Sequence, residues 1–259
     1  VPGHPESRFA TYPSLHDRVA FVSGGASGLG EEFVRQLAAQ DARVAFVDID
    51  ASSGTALEHE LNGAGHVVRF THADVRDIPV LQRAITSAAE SLGPIRVLIN
   101  NAANDTRRAS ADVEVADWDE GIAVNVRHHF FAAQAVVPMM TAAGGGSIIN
   151  LGSISAHIDL VDLASYITAK SGIEGLTHML ARELGPHGIR VNCVIPGWIM
   201  TAKQLRLWVT PEAEASIARN QCLPRKLVPA DVARMVLWLA ADDSDGCTAQ
   251  QWVVDGGWM

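Results

Sequence analysis

Short apolar runs alternate along this chain with longer stretches whose apolar positions recur every three to four residues. The runs, at 19–23, 43–47, 66–70, 96–100, 147–151, 190–195 and 251–254, are mostly apolar on consecutive positions, the pattern of strands covered on both faces. Between them the period predicts helices near 28–40, 52–62, 77–92, 117–140, 162–185 and 229–241, with smaller ones within 202–220. Such alternation predicts an α/β domain with a doubly wound, seven-stranded parallel sheet and helices on both faces. No repeat, low-complexity tract or linker divides residues 15–259, which are read as one domain. Residues 1–14, rich in Pro, Ser and His and without an apolar period, are expected to form a flexible N-terminal arm.

Composition narrows the class. With 259 residues, 48% hydrophobic and 19% charged, the chain can bury a full core within one domain. No segment approaches the ~20 apolar residues needed to cross a bilayer. Pro2, His4, Pro5 and Glu6 do not resemble a secretory signal, so a cytoplasmic location is expected. The formal charge of -9 argues against nucleic acid and anionic membranes as partners. Three widely spaced cysteines, Cys193, Cys222 and Cys247, offer neither a disulfide framework nor a zinc motif. Ten scattered histidines, with the adjacent His128 and His129 facing different sides of a helix, predict no metal site.

In such sheets ligands gather at the carboxyl ends of the strands, and the chemically suggestive residues fall there. The first run leads directly into Gly24-Gly25-Ala26-Ser27-Gly28-Leu29-Gly30, followed by the helical pattern Phe33, Val34, Leu37, Ala38. A glycine turn between strand and helix lets backbone approach a pyrophosphate while the helix N-terminus offers free N–H groups. The second run ends at Asp48, eighteen residues beyond Gly30, where a carboxylate would bind a ribose diol. Ala26, Ser27, Ile49, Asp50 and Ala51 supply no cation for an added 2′-phosphate, so NAD is the expected cofactor.

A second constellation lies farther along. Tyr166 and Lys170 stand i and i+4 on a predicted helix, in a chain with only two tyrosines and three lysines. A phenol with a reference pKa near 10 becomes a useful base when a cation stabilises its anion. Ser153, at the end of the fifth run, could hold a substrate oxygen against that phenol. Asn125, between Val124 and Val126 in the 117–140 helix, could anchor a water linking the lysine to solvent. Each residue also has a plain alternative: a snorkelling lysine, a serine satisfying turn backbone, a hydrogen-bonded core amide.

Taken in order, these elements resemble the short-chain dehydrogenase/reductase family from about residue 15 to 259. The resemblance implies a single-domain Rossmann fold and a catalytic set of Asn125, Ser153, Tyr166 and Lys170. It implies cofactor contacts from Gly24, Ser27, Gly28, Leu29 and Gly30, from Asp48 and Ile49, and from Asp74 and Val75 on the adenine side. Asn101, Ala102 and Ala103 match the family's Asn-Ala-Gly, with alanine replacing its glycine at 103. Pro196, Gly197, Trp198, Ile199 and Thr201 match the segment that holds the nicotinamide, with Tyr166 and Lys170 completing the set.

A narrower likeness bears on substrate. Asn104-Asp105-Thr106-Arg107, Asn125-Val126-Arg127-His128, Gly152 to His157 and Gln204-x3-Trp208-x-Thr210-Pro211-Glu212 are similar to bacterial NAD-dependent aldose 1-dehydrogenases of the D-xylose type. That implies oxidation of the C1 hydroxyl of a cyclic aldose to the aldonolactone, with Asn104, Ser153, His157, Tyr166, Trp198, Gln204 and Trp208 around the sugar. Short polar groups suit hydroxyls and an indole suits the apolar sugar face. The alternatives are a short-chain oxidoreductase acting on another alcohol or ketone, a steroid or an acyl thioester, and a nucleotide-sensing scaffold without catalysis. The resemblance also implies a homo-oligomer, dimer or tetramer, with the 117–140 and 162–185 helices at the contact.

Overall fold

The computed structural model describes residues 9–259. Seven parallel strands, β1 (Val19–Ser23), β2 (Arg43–Asp48), β3 (Val68–His72), β4 (Ile95–Asn100), β5 (Gly146–Leu151), β6 (Ile189–Pro196) and β7 (Gln251–Val254), form one sheet in the order β3-β2-β1-β4-β5-β6-β7. The helices are α1 (Gly28–Ala38), α2 (Ala51–Gly63), α3 (Ile78–Leu92), α4 (Val115–Ile122), α5 (His128–Ala142), α6 (Ala164–Leu184), α7 (Ala202–Leu207), α8 (Pro211–Asn220) and α9 (Pro229–Ala240). Successive β1 side chains point to opposite faces, so Ala20 and Val22 join α1 and α9 in one core while Val19 and Phe21 join α3, α5 and α6 in the other. Fully buried Phe21, Phe33, Leu37 and Leu81 each gain on the order of 1.5–3 kcal/mol from this cover.

The strand order places the site. β1 lies between β2 and β4, so the chain leaving β1 turns one way and the chain leaving β4 the other, opening a crevice at their carboxyl ends. Among the described residues, no helix is long and apolar enough to cross a membrane.

Three details depart from the pattern-based reading. β3 spans 68–72 rather than 66–70, because residues 64–67 close the end of α2: His66 N donates to the Leu61 carbonyl, and the Asn62 amide clasps Val68 N and O. The expected 117–140 helix is two helices joined by a π-helical stretch, Ala123–Arg127. Of the expected arm, residues 1–8 lie outside the described residues. The remainder is attached: Tyr12 N donates to Gln40 Oε1 at 2.8 Å, and the Arg234 guanidinium sits 4.1 Å from the Phe9 ring centroid.

Candidate active site

A cleft of about 1100 Å³ runs along the carboxyl ends of the strands. Its first wall is the glycine turn. Gly24 has φ +69°, and Gly24 N and Gly25 N both donate to the Val47 carbonyl, tying the turn to β2. At Gly30 a Cβ would lie 1.8 Å from the Gly24 carbonyl oxygen and 2.6 Å from Asn101 Nδ2, so only glycine lets α1 press against the turn. Gly30 itself lies beneath the cleft, whereas Gly24, Ser27, Gly28 and Leu29 line it. The result is a cradle that side chains would fill, with the N–H groups of a helix start above it, which fits a dinucleotide's pyrophosphate.

Asp48 stands at the rim with its carboxylate fixed by two amides: Ala26 N donates to Oδ2 at 2.9 Å and Asp50 N to Oδ1 at 3.0 Å. Ile49, Asp74 and Val75 continue this wall. The Asp74 carboxylate is taken by Arg76, whose Nε and Nη2 donate to it at 2.6–3.0 Å and hold it below the usual carboxylate range. Arg76 also reaches Glu120 and lines the cleft, a cation the motif reading did not single out. Asn101 N and Ala102 N both donate to Ser23 Oγ, and Asn101 Nδ2 donates to the Gly24 carbonyl, so β1 and β4 deliver their loops as one unit. Ala102 and Ala103 line the cleft, as do Pro196, Gly197, Trp198, Ile199 and Thr201 beyond β6.

The catalytic candidates meet midway along the cleft. Tyr166 occupies the first turn of α6, with Lys170 one turn later. Lys170 is 2% exposed; its Nζ donates to the Leu151 carbonyl at 2.7 Å and lies 5.6 Å from the Tyr166 ring centroid. Burial pushes this ammonium down to about 8. Ser153 Oγ accepts from Ser155 N at 3.1 Å and from Ser155 Oγ at 2.9 Å, which leaves its own proton for Tyr166, the third partner in its hydrogen-bond set. The expected lowering of the phenol by Lys170 is not seen. Burial raises Tyr166 to about 12; the Ser153 hydrogen bond opposes this and the Asp105 charge adds to it.

Asn125, 1% exposed in the π-helical stretch, does not line the cleft. Its Oδ1 accepts from Asn104 N at 2.8 Å, and its Nδ2 donates to the Asn104 carbonyl at 3.1 Å and the Gly121 carbonyl at 2.9 Å. The side chain thus clasps the backbone of the loop after β4 and satisfies a carbonyl one turn back in α4.

At the substrate end, Asn104, His157, Gln204 and Trp198 line the cleft, and Trp208 does not. Instead the Arg107 guanidinium lies 4.3 Å from the Trp208 ring centroid. His157 Nε2 pairs with Glu174 Oε1 at 2.6 Å, and Gln251 holds the second Glu174 oxygen at 2.8 Å. Asp105 is the central group the motif reading left without a role. Lys203 Nζ reaches its Oδ1 at 2.5 Å and Gln204 Nε2 its Oδ2 at 2.8 Å, joining the β4 loop to α7. Burial works to raise Asp105, but the Lys203 contact and the Gln204 hydrogen bond outweigh it, so the carboxyl sits below its usual value. Trp258, also missed, lines the cleft beside Trp198. Its only local signal was an aromatic residue following Gly256-Gly257.

A family model described as enoyl-(acyl carrier protein) reductase matches residues 24–259. The chain is 47% identical over 249 residues to D-xylose 1-dehydrogenase of Caulobacter vibrioides, covering 96% of this chain and 98% of that protein. It is 46% identical over 254 residues to a Rhizobium meliloti protein named "Probable galactose dehydrogenase GalD", covering 98% of each. Among solved structures, 7α-hydroxysteroid dehydrogenase complexed with NADH and 7-oxo glycochenodeoxycholic acid superposes with TM-score 0.90 at 28% identity, over 95% of this chain and 96% of that one.

Proposed function

The chain belongs to the short-chain dehydrogenase/reductase family, whose dehydrogenases work with a nicotinamide cofactor, and from that premise we propose that it oxidises the C1 hydroxyl of a cyclic aldose to the aldonolactone with NAD. The observation that carries the sugar reading is the near full-length likeness to a D-xylose and a galactose dehydrogenase. The substrate end supports it: Asn104, Asp105 and Gln204 offer donors and acceptors for hydroxyls in the cleft that the Trp198 indole also lines.

Within this reading Asp48 holds the adenosine ribose diol, and the cradle from Gly24 to Gly30 receives the pyrophosphate. Bound NAD would supply the acceptor for the hydride leaving C1 and a positive charge that favours the phenolate. Tyr166 Oη takes the C1 hydroxyl proton, Ser153 holds the same oxygen by its hydrogen bond, and Lys170 contributes its charge from beneath the ring. Asn125 keeps the Asn104 segment in place and supports the proton path behind the lysine. C1 loses its hydrogen with the bonding pair, as hydride to the cofactor, and the hydroxyl loses its proton to Tyr166, which together balance formation of the lactone carbonyl.

We place the protein in the cytoplasm, in keeping with its three free cysteines, and as a homodimer or homotetramer, in keeping with the exposed Phe130 on α5 and Met179 on α6. The deciding assay is NADH formation with a panel of aldoses, simple secondary alcohols, hydroxysteroids and 3-hydroxyacyl thioesters, with the sugar product identified as lactone or aldonate. Turnover of an aldose is expected. Activity on the alcohols or thioesters with none on any aldose overturns the sugar assignment and leaves the family intact.

A further inference from the structure

β6 and β7 are paired in parallel register through Pro196↔Val254, so the segments leaving these strands start side by side. Gly197 N donates to the Val254 carbonyl at 2.9 Å, and a Cβ on Gly197 would lie 2.6 Å from Asp255 Cα, an approach only glycine permits. The chain beyond β7 then winds around one carboxylate. Asp255, 5% exposed, accepts from Gly257 N at 2.7 Å, Trp258 N at 3.1 Å and Met259 N at 2.8 Å. Two further bonds fasten this turn from α8's end: Gln221 Nε2 to the Asp255 carbonyl at 3.2 Å and Leu223 N to the Gly256 carbonyl at 3.0 Å.

The product of this winding is the position of one indole. Trp258 packs on the apolar cluster of Ile154 and Ile195, lies 6.3 Å from the Trp198 ring at 33°, and lines the same cleft as Ser153 and Tyr166. Were Trp258 only a plug for that cluster, an aliphatic residue would serve as well; a ring standing partly open to the cleft that Asp105 and Gln204 also line fits a ligand with a flat apolar face and polar edges.

We infer that Trp258 stacks on the ring of the substrate and sets which rings are accepted, and that Asp255 is the residue that positions it. The inference deepens the aldose reading and rests on it for the identity of the ring. A cyclic sugar presents C–H groups on one face and hydroxyls at its rim, and the indole takes the face while the polar loops take the rim.

The test is steady-state kinetics on full-length Trp258→Leu, Trp258→Phe and Asp255→Asn, with NADH binding followed by fluorescence titration. Leu keeps the contact with Ile154 and Ile195 but removes the ring. It is expected to raise KM for the sugar about tenfold, with kcat within about threefold of wild type and NADH affinity within about twofold. Phe is expected to stay within about threefold of wild type in KM. Asp255→Asn, which weakens the grip on three amides without touching the ring, is expected to raise sugar KM about threefold and leave KM for NAD unchanged. A Leu variant with wild-type KM, or a Phe variant as impaired as Leu, overturns the role of Trp258; an Asp255→Asn enzyme whose NAD and sugar KM rise together overturns the positioning role. If the wild type turns over a cyclic alcohol and no aldose, the aldose reading falls, and the same KM comparison on that alcohol decides the stacking role by itself.

Discussion

Replacing Asn125 by alanine separates a structural clamp from a spectator. In the folded protein this buried amide makes three hydrogen bonds, two to the backbone of Asn104 and one to the Gly121 carbonyl. At ~1 kcal/mol each, their loss amounts to about 3 kcal/mol, more if the Asn104 and Gly121 groups stay dry. For a chain of this size 1 kcal/mol shifts Tm by about 2–4 °C, so a fall of about 6–12 °C is expected in thermal melting. Because Asn104 leads into Asp105, which braces α7 through Lys203 and Gln204, the variant should also lose up to about 10²-fold in kcat with its own aldose. NADH affinity should stay within about twofold, since the glycine turn and Asp48 make no contact with Asn125. Asn125→Asp is the control: it keeps an acceptor for Asn104 N, cannot donate to either carbonyl, and should be no more stable than the alanine variant. An alanine variant melting within about 2 °C of wild type would refute the clamp, and one that melts early yet turns over normally would remove the Asn104 segment from the site.

Three shorter predictions complete the set. Tyr166→Phe should bind NADH with near-native affinity and lose about 10²–10⁴-fold in kcat; retention of near-native turnover removes Tyr166 as the base. Wild type should prefer NAD to NADP in kcat/KM, and Asp48→Ala should narrow that preference mainly through a weaker KM for NAD; equal efficiency with both cofactors in the wild type refutes the role of Asp48. Burial lowers Lys170 from 10.5 to about 8, so between those values the unfolded chain holds a proton that the folded one has released, and stability contributed by this group rises with pH through that window. Urea unfolding should then show the wild type gaining about 2 kcal/mol on Lys170→Met between pH 8 and 9.5, whereas a flat difference means that Lys170 titrates as in water.

The sheet was legible because its strands are covered on both faces and therefore read as unbroken apolar runs, and because each chemical motif sat where a run ended. The two edge strands are the exceptions: β7 has no buried residue, and β3 is buried only at Val68, so its pattern could not mark its ends, and a side chain on α2 decided them. The 117–140 stretch carried one continuous helical period, and a π-helical stretch adds a residue to a turn without erasing that period. Trp208 was read as a cleft aromatic and Trp258 was passed over, the reverse of where the two rings lie. Which of them lines it depends on Arg107 covering the first and on β6 pairing with β7 beneath the second, contacts between residues far apart in the chain. Asp105 was within a quoted motif, yet its weight comes from α7, about a hundred residues downstream.

The π-helical stretch at 123–127 also acts as a setting of phase. Each residue of an α-helix advances the side chains by about 100°, so one residue more in a turn rotates α5 relative to α4 by that amount. With the extra residue, Gly121 packs against Ser165 of α6, Asn125 holds the loop after β4 and Ala132 and Val136 enter the core. Deleting Val124 would leave a sequence able to form one longer, more regular helix, and would aim one half of it at the wrong neighbour. The irregular turn is therefore what allows a single run of helix to serve two clients, a packed interior and a reactive cleft, whose demands no unbroken α-helix could meet at once.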